Sequence, residues 1–165
     1  MKNKSLIACT VILVGVSLIC VLFGGALFLE GVSTSFSLSE IFTGGSIAKP
    51  VTSNQVTVLE LESNIFALIT AACAGVGCMA LIIPRKNKER LNSFALIAML
   101  MFLISLIINL TVLDDSLINA VSEVGSDVKV SMTSYLDFYC MACLLGVVFA
   151  FFIWVDSKDT SEYED

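Results

Sequence analysis

Pro84-Arg85-Lys86-Asn87-Lys88-Glu89-Arg90 is the stretch that decides the fold. Behind the proline stand six polar residues, four of them cations, between two long apolar runs at 63–83 and 91–113. Each run has about the 20 residues a helix needs to cross a bilayer core of roughly 30 Å. So short a link makes the two helices antiparallel neighbours. Its cations place it in the cytoplasm by the positive-inside rule. Counted outward from this loop, Lys2, Lys4, Arg85, Lys86, Lys88, Arg90 and Lys158 fall on one side, and Lys49 and Lys129 on the other. Both termini are therefore expected inside, in a multi-pass protein of the plasma membrane.

Composition agrees. The chain has 165 residues, 57% hydrophobic and 15% charged, against about 45–50% and 25% in a soluble domain. One membrane domain spanning 1–165 is expected: an all-α bundle of four transmembrane helices at about 6–29, 63–83, 91–113 and 134–155. A net charge of −6 argues against nucleic acid, whose phosphates need a basic face. Histidine is absent. The sequence holds no nucleotide loop, metal-ligand cluster or serine–histidine arrangement, so no catalytic residue, metal or cofactor is expected. Membrane lipid, other membrane proteins and a second copy of the chain are the expected partners.

The first apolar run is too long for a cleaved signal peptide, so the helix is expected to be retained. Gly15, Ser17 and the Gly24-Gly25 pair should let another helix approach closely. The first external loop, 30–62, alternates Val32, Thr34, Phe36 and Leu38 with Ser33, Ser35 and Ser37, a strand pattern. Ser39-Glu40-Ile41-Phe42 is equally able to start a helical turn. Thr43-Gly44-Gly45-Ser46 reads as a turn, Pro50 as a break, and 55–61 as a second strand. A small extracellular hairpin or strand pair follows. Because an isolated hairpin is marginal, it should pack on the second external loop or on a partner. In that loop, 114–133, Leu117, Ile118, Val121 and Val124 repeat at helical spacing, Gly125 would end the helix, and 128–132 would be extended. The acidic tail, 156–165, is expected to be disordered.

In the second helix Ala67, Ala71 and Gly75 stand four apart and share a face. This small-residue stripe is the expected helix-packing face. Tyr135, Tyr139 and Trp154 mark the interfaces of the fourth helix. The third helix is bulky, with Ser105, Asn109 and Thr111 as its polar groups.

Two constellations are candidates for chemistry. Asp137 is the acid inside an apolar run, a functional candidate by position. Asn109 should lie at similar depth, so the two are expected to form an intramembrane polar pair, structural or part of an ion path. All six cysteines fall in apolar runs, and packing is their expected role. Cys140-Met141-Ala142-Cys143 nevertheless puts two thiols on one helical face, the spacing redox pairs use. On those two residues and the helix count, the chain resembles the four-helix thiol oxidoreductases of the vitamin K epoxide reductase type. The resemblance implies a redox role for Cys140 and Cys143, but the relay cysteines that family carries in its first external loop are missing from 30–62.

In outline the chain looks like the small tetraspan membrane proteins. It lacks the external tryptophan and cysteine pattern of claudins. It is more similar to small bacterial four-helix membrane proteins with a Phe-rich, Gly-Gly segment after the first helix, here residues 36–45. The expected function is that of a non-enzymatic accessory, assembly or interaction factor. A small transporter or channel subunit using Asp137 and Asn109 is one alternative. A thiol oxidoreductase using Cys140 and Cys143 is the other.

Overall fold

The structure is a computed structural model that describes residues 2–30, 34–52, 55–61, 63–83, 88–111 and 129–159. Its elements are α1 (Lys2–Gly24), β1 (Leu27–Glu30), β2 (Thr34–Phe36), α2 (Leu38–Thr43), β3 (Gly45–Thr52), β4 (Gln55–Leu61), α3 (Ile65–Ile82), α4 (Lys88–Thr111), β5 (Lys129–Met132) and α5 (Ser134–Asp159). Four of the described helices, α1, α3, α4 and α5, are long and apolar enough to cross a membrane. The amphipathic helix expected around 117–124 and its stop at Gly125 lie outside the described residues.

The four long helices close a ring. α5 packs on α4 and α1, α4 packs on α3, and α3 returns to α1. Large apolar side chains cover the outside of the ring, including Phe23, Met79, Ile107 and Phe152. Inside are mostly small residues, among them Ala67, Ala74, Ala95, Ala98, Ala142 and Ala150. That is the inverse of a water-soluble bundle. It fits a solvent as apolar as the core, in which helices associate by close contact rather than by hydrophobic expulsion.

The first helix is shorter than its hydropathy predicts. It ends at Gly24 rather than at 29, and 27–30 form β1. Gly25 takes φ +116°, a backbone region that a side chain would strain and glycine enters freely. The Gly24-Gly25 pair is thus a helix stop, although Gly24 also gives room to the Tyr135 ring, 3.4 Å from where its Cβ would sit. Pro84 acts at the far end of α3. The residue before a proline is pushed out of helical geometry, and Ile83 has ψ 118°.

One end of the bundle carries a β-layer. β1 is the middle of a three-stranded antiparallel sheet in the order β2-β1-β5. β1 therefore joins the segment after the first helix to the segment before the last, with Glu30 opposite Lys129. The two loops meet through this sheet. The hairpin β3–β4 pairs within itself, from Gly45 opposite Leu61 to Thr52 opposite Gln55, with a register shift at Pro50.

Thr133 fastens α1 to α5. Its Oγ1 donates to the carbonyls of Gly25 (2.9 Å) and Ala26 (3.0 Å) and accepts from Leu136 N–H, capping α5. Its own N–H donates to the Ala26 carbonyl. The short helix α2 is held as firmly. Ser37 and Glu40 form a capping box, Ser39 Oγ donates to the Leu22 carbonyl at the end of α1, and Asn64 N–H donates to Ile41 O. Phe36, Leu38 and Ile41 are buried beneath it. The fourth long helix runs to Asp159, so 156–159 belong to it and not to an acidic tail.

Candidate functional site: a polar cluster between three helices

One packing contact joining three helices is a ring between two glycines. Phe102 on α4 is fully buried. A Cβ on Gly77 of α3 would lie 2.6 Å from its Cε1, and one on Gly146 of α5 2.9 Å from its Cδ2. Both faces of the ring need a residue without a side chain. This corrects the packing face expected at Ala67, Ala71 and Gly75. Ala67 is buried and Ala71 half-buried, but no atom lies within 4 Å of a Cβ on Gly75. The packed face runs through Ala67, Thr70, Ala74, Gly77, Cys78 and Leu81. The stripe of residues spaced four apart and this face differ by a small rotation of the helix, and Phe102 decides between them.

Toward the sheet end from Phe102, four polar side chains meet. Thr70 of α3, Ser105 and Asn109 of α4, and Tyr139 of α5 are all fully buried. Thr70 Oγ1 and Ser105 Oγ lie 2.8 Å apart, and Ser105 Oγ and Tyr139 Oη 2.9 Å. Tyr139 Oη also lies 3.2 Å from the Thr70 carbonyl, which closes the ring. Asn109 Nδ2 donates to Thr70 Oγ1 (2.9 Å) and to the Ser105 carbonyl (2.8 Å). Cys143 Sγ lies 3.8 Å from Ser105 Oγ.

The Ser105 carbonyl can only accept, which fixes the orientation of the Asn109 amide. Nδ2 faces the cluster, and Oδ1 is buried without a partner. The three hydroxyls can circulate their protons in two ways. Thr70 gives to Ser105, Ser105 to Tyr139 and Tyr139 to the Thr70 carbonyl; or Tyr139 gives to Ser105, Ser105 to Thr70 and Thr70 to the Ser105 carbonyl, a contact of 3.1 Å. Either way every hydroxyl proton is used. Hydroxyl and amide groups of this kind hold helices together. They offer neither a carboxylate nor an imidazole for acid–base work.

Asp137 does not join this cluster. Its side chain is exposed, while Asn109 is buried and bonded to Thr70 and Ser105, so the expected Asp137–Asn109 pair does not form. Asp137 lies in the first turn of α5, where the exposed N–H groups of a helix favour a negative charge. Cys140 and Cys143 are both buried, and all six cysteines are free thiols. Packing suits Cys78, Cys140 and Cys143, whereas Cys9 is exposed on the outside of α1. Among the described residues no three His, Cys, Asp or Glu gather as metal donors.

The residues that make the cluster were visible separately. Tyr139 reads as an interface aromatic, and Ser105 as one polar group on a bulky helix. Their common depth was the available signal. Thr70 is five residues into α3, Tyr139 five into α5 and Ser105 six from the end of α4. At about 1.5 Å per residue, these helices put all three at one level.

Comparison with protein-family models, with curated proteins and with solved structures finds no match for this chain.

Proposed function

We propose that the protein is a non-enzymatic, multi-pass protein of the plasma membrane that works by contact, as an accessory or assembly factor presenting its β-layer to other membrane proteins. In this reading both termini and the basic loop face the cytoplasm, from the distribution of seven cations against two. The sheet is then extracellular. The observation that carries the reading is the closed interior. Every hydroxyl of the buried cluster is spent on another helix, and below it Phe102 fills the space between Gly77 and Gly146. A permeation path needs polar groups through the whole membrane depth, and a thiol relay needs reachable thiols. What this fold leaves outward is a sheet, a hairpin and the short helix α2.

The test is a photoreactive phenylalanine analogue in place of Phe42, which is exposed on α2, irradiated in intact cells. A discrete protein adduct that persists in the Cys140→Ser variant is expected. If no protein adduct forms from Phe42, or from other positions on the β-layer, the contact reading is wrong.

A further inference from the structure

We infer that the bundle interior holds a bound water at each end of α4, one donating to Asn109 Oδ1 near the sheet and one donating to Asn92 Oδ1 near the opposite end, with a dry core between them. The inference is independent of the proposed contact function.

Among the described residues two side-chain oxygens are buried without a hydrogen-bond partner, those of Asn92 and Asn109. A buried polar atom left unpaired keeps the whole cost of leaving water, so such atoms are characteristically met by protein or by ordered water. Both stand on one face of one helix. Asn92, Ala95, Ala98, Phe102, Ser105 and Asn109 follow at intervals of three or four, and all but the half-buried Asn92 are fully buried. The two amides bracket that face, with Ala95, Ala98 and Phe102 as its apolar middle. Asn109 cannot mend itself by turning its amide. Its Nδ2 donates to the Ser105 carbonyl, and a turned amide would set oxygen against oxygen there.

Depth supplies the water. Seventeen residues separate Asn92 from Asn109, about 25 Å at roughly 1.5 Å per residue, against a hydrocarbon core of roughly 30 Å. With α4 centred in the bilayer, each oxygen lies about 2 Å inside the interface, and a water reaches it without crossing the apolar middle. The helix ends give that water its other partners. The opening N–H groups and closing carbonyls of a helix have none within it. In α4, which spans Lys88–Thr111, Asn92 directly follows the first set and Asn109 belongs to the last. Other donors fit less well. Asn109 is fully buried, out of reach of a partner helix or a lipid headgroup. A hard cation takes about six to eight oxygens, carboxylates among them, whereas each site here offers one neutral amide oxygen. At the half-buried Asn92 a lipid hydroxyl is the competing donor, and the experiment separates the two.

The experiment is magic-angle-spinning NMR of the full chain in lipid bilayers, with magnetisation selected on water protons and passed to carbon. Asn109-Leu110 and Asn92-Ser93 are each the single pair of their kind in the chain, so labelling Asn with Leu, and then Asn with Ser, assigns both amides without a substitution. The carboxamide carbons of Asn92 and Asn109 should gain signal at mixing times at which Ala98 and Phe102 show none. Asn109 should also rise ahead of Thr70 and Ser105, whose hydroxyls bond to one another. With selection on lipid protons instead, neither amide should lead. Either amide as dark as Phe102, either amide fed from lipid before water, or Thr70 and Ser105 as bright as Asn109, each overturns the inference.

Discussion

Gly77 and Gly75 are two residues apart on one helix, yet they should respond oppositely to the same substitution. In Gly77→Ala the new methyl would lie 2.6 Å from Phe102 Cε1, 2.9 Å from Cδ1 and 3.0 Å from Cζ. The ring cannot retreat, because a Cβ on Gly146 would meet it at 2.9 Å on the other side. Forcing a methyl into so tight a contact costs typically about 1–3 kcal/mol. In Gly75→Ala the methyl meets nothing within 4 Å. Both changes gain the same helix propensity, about 1 kcal/mol on the aqueous scale, so the difference between them isolates the contact at about 1–3 kcal/mol. Reversible unfolding of the purified protein in bicelles, followed by steric trapping or denaturant titration, measures it. Phe102→Leu should relieve part of the cost, and the coupling in a double-mutant cycle of Gly77→Ala with Phe102→Leu should exceed about 0.5 kcal/mol. Equal stabilities for Gly77→Ala and Gly75→Ala, or a larger loss at Gly75, would refute the ring-between-glycines account.

Two further outcomes are expected. Thr70→Val and Tyr139→Phe each break the buried ring and should each lower stability by about 0.5–2 kcal/mol, the range for buried and intramembrane hydrogen bonds. Their effects should not add, whereas additivity within about 0.3 kcal/mol would mean the cluster is not one network. In a cysteine-free background on intact cells, an impermeant maleimide should label Ser46→Cys and leave Lys88→Cys unlabelled until lysis; the opposite pattern would invert the proposed orientation.

How much of this fold could be read depends on what each residue pattern encodes. Long apolar runs broken by charge specify spanning helices, because no other local structure satisfies the backbone in lipid. The rotation of each helix is another matter. Ala67, Ala71 and Gly75 form as good a small-residue stripe as Ala67, Ala74 and Gly77, and only a bulky partner on another helix distinguishes them. Gly24-Gly25 failed differently. Ala26 to Leu29 is as apolar as the helix before it, so hydropathy carried the helix onward through a glycine whose role was to turn the chain. Asn109 was placed near the right depth but given the wrong partner. An amide has both a donor and an acceptor side, and its direction follows from the Ser105 carbonyl, an acceptor on its own helix that no side-chain pattern reveals.

The sheet has a consequence for the order in which the protein can be completed. β2 lies a few residues beyond β1 and can pair with it as soon as both leave the ribosome. β5 follows β1 by about 100 residues, counted from Glu30 to its mate Lys129. At roughly 5–20 residues per second, the nascent chain spends at least several seconds with one edge of β1 open, while α3 and α4 are made and inserted. The fastening of Thr133 to Gly25 and Ala26 comes at the end of that interval, when α5 enters the bilayer. The strand that joins first helix to last thus acts as a completion latch. A chain truncated before α5 would expose one edge of β1 to whatever strand or quality-control factor reaches it first.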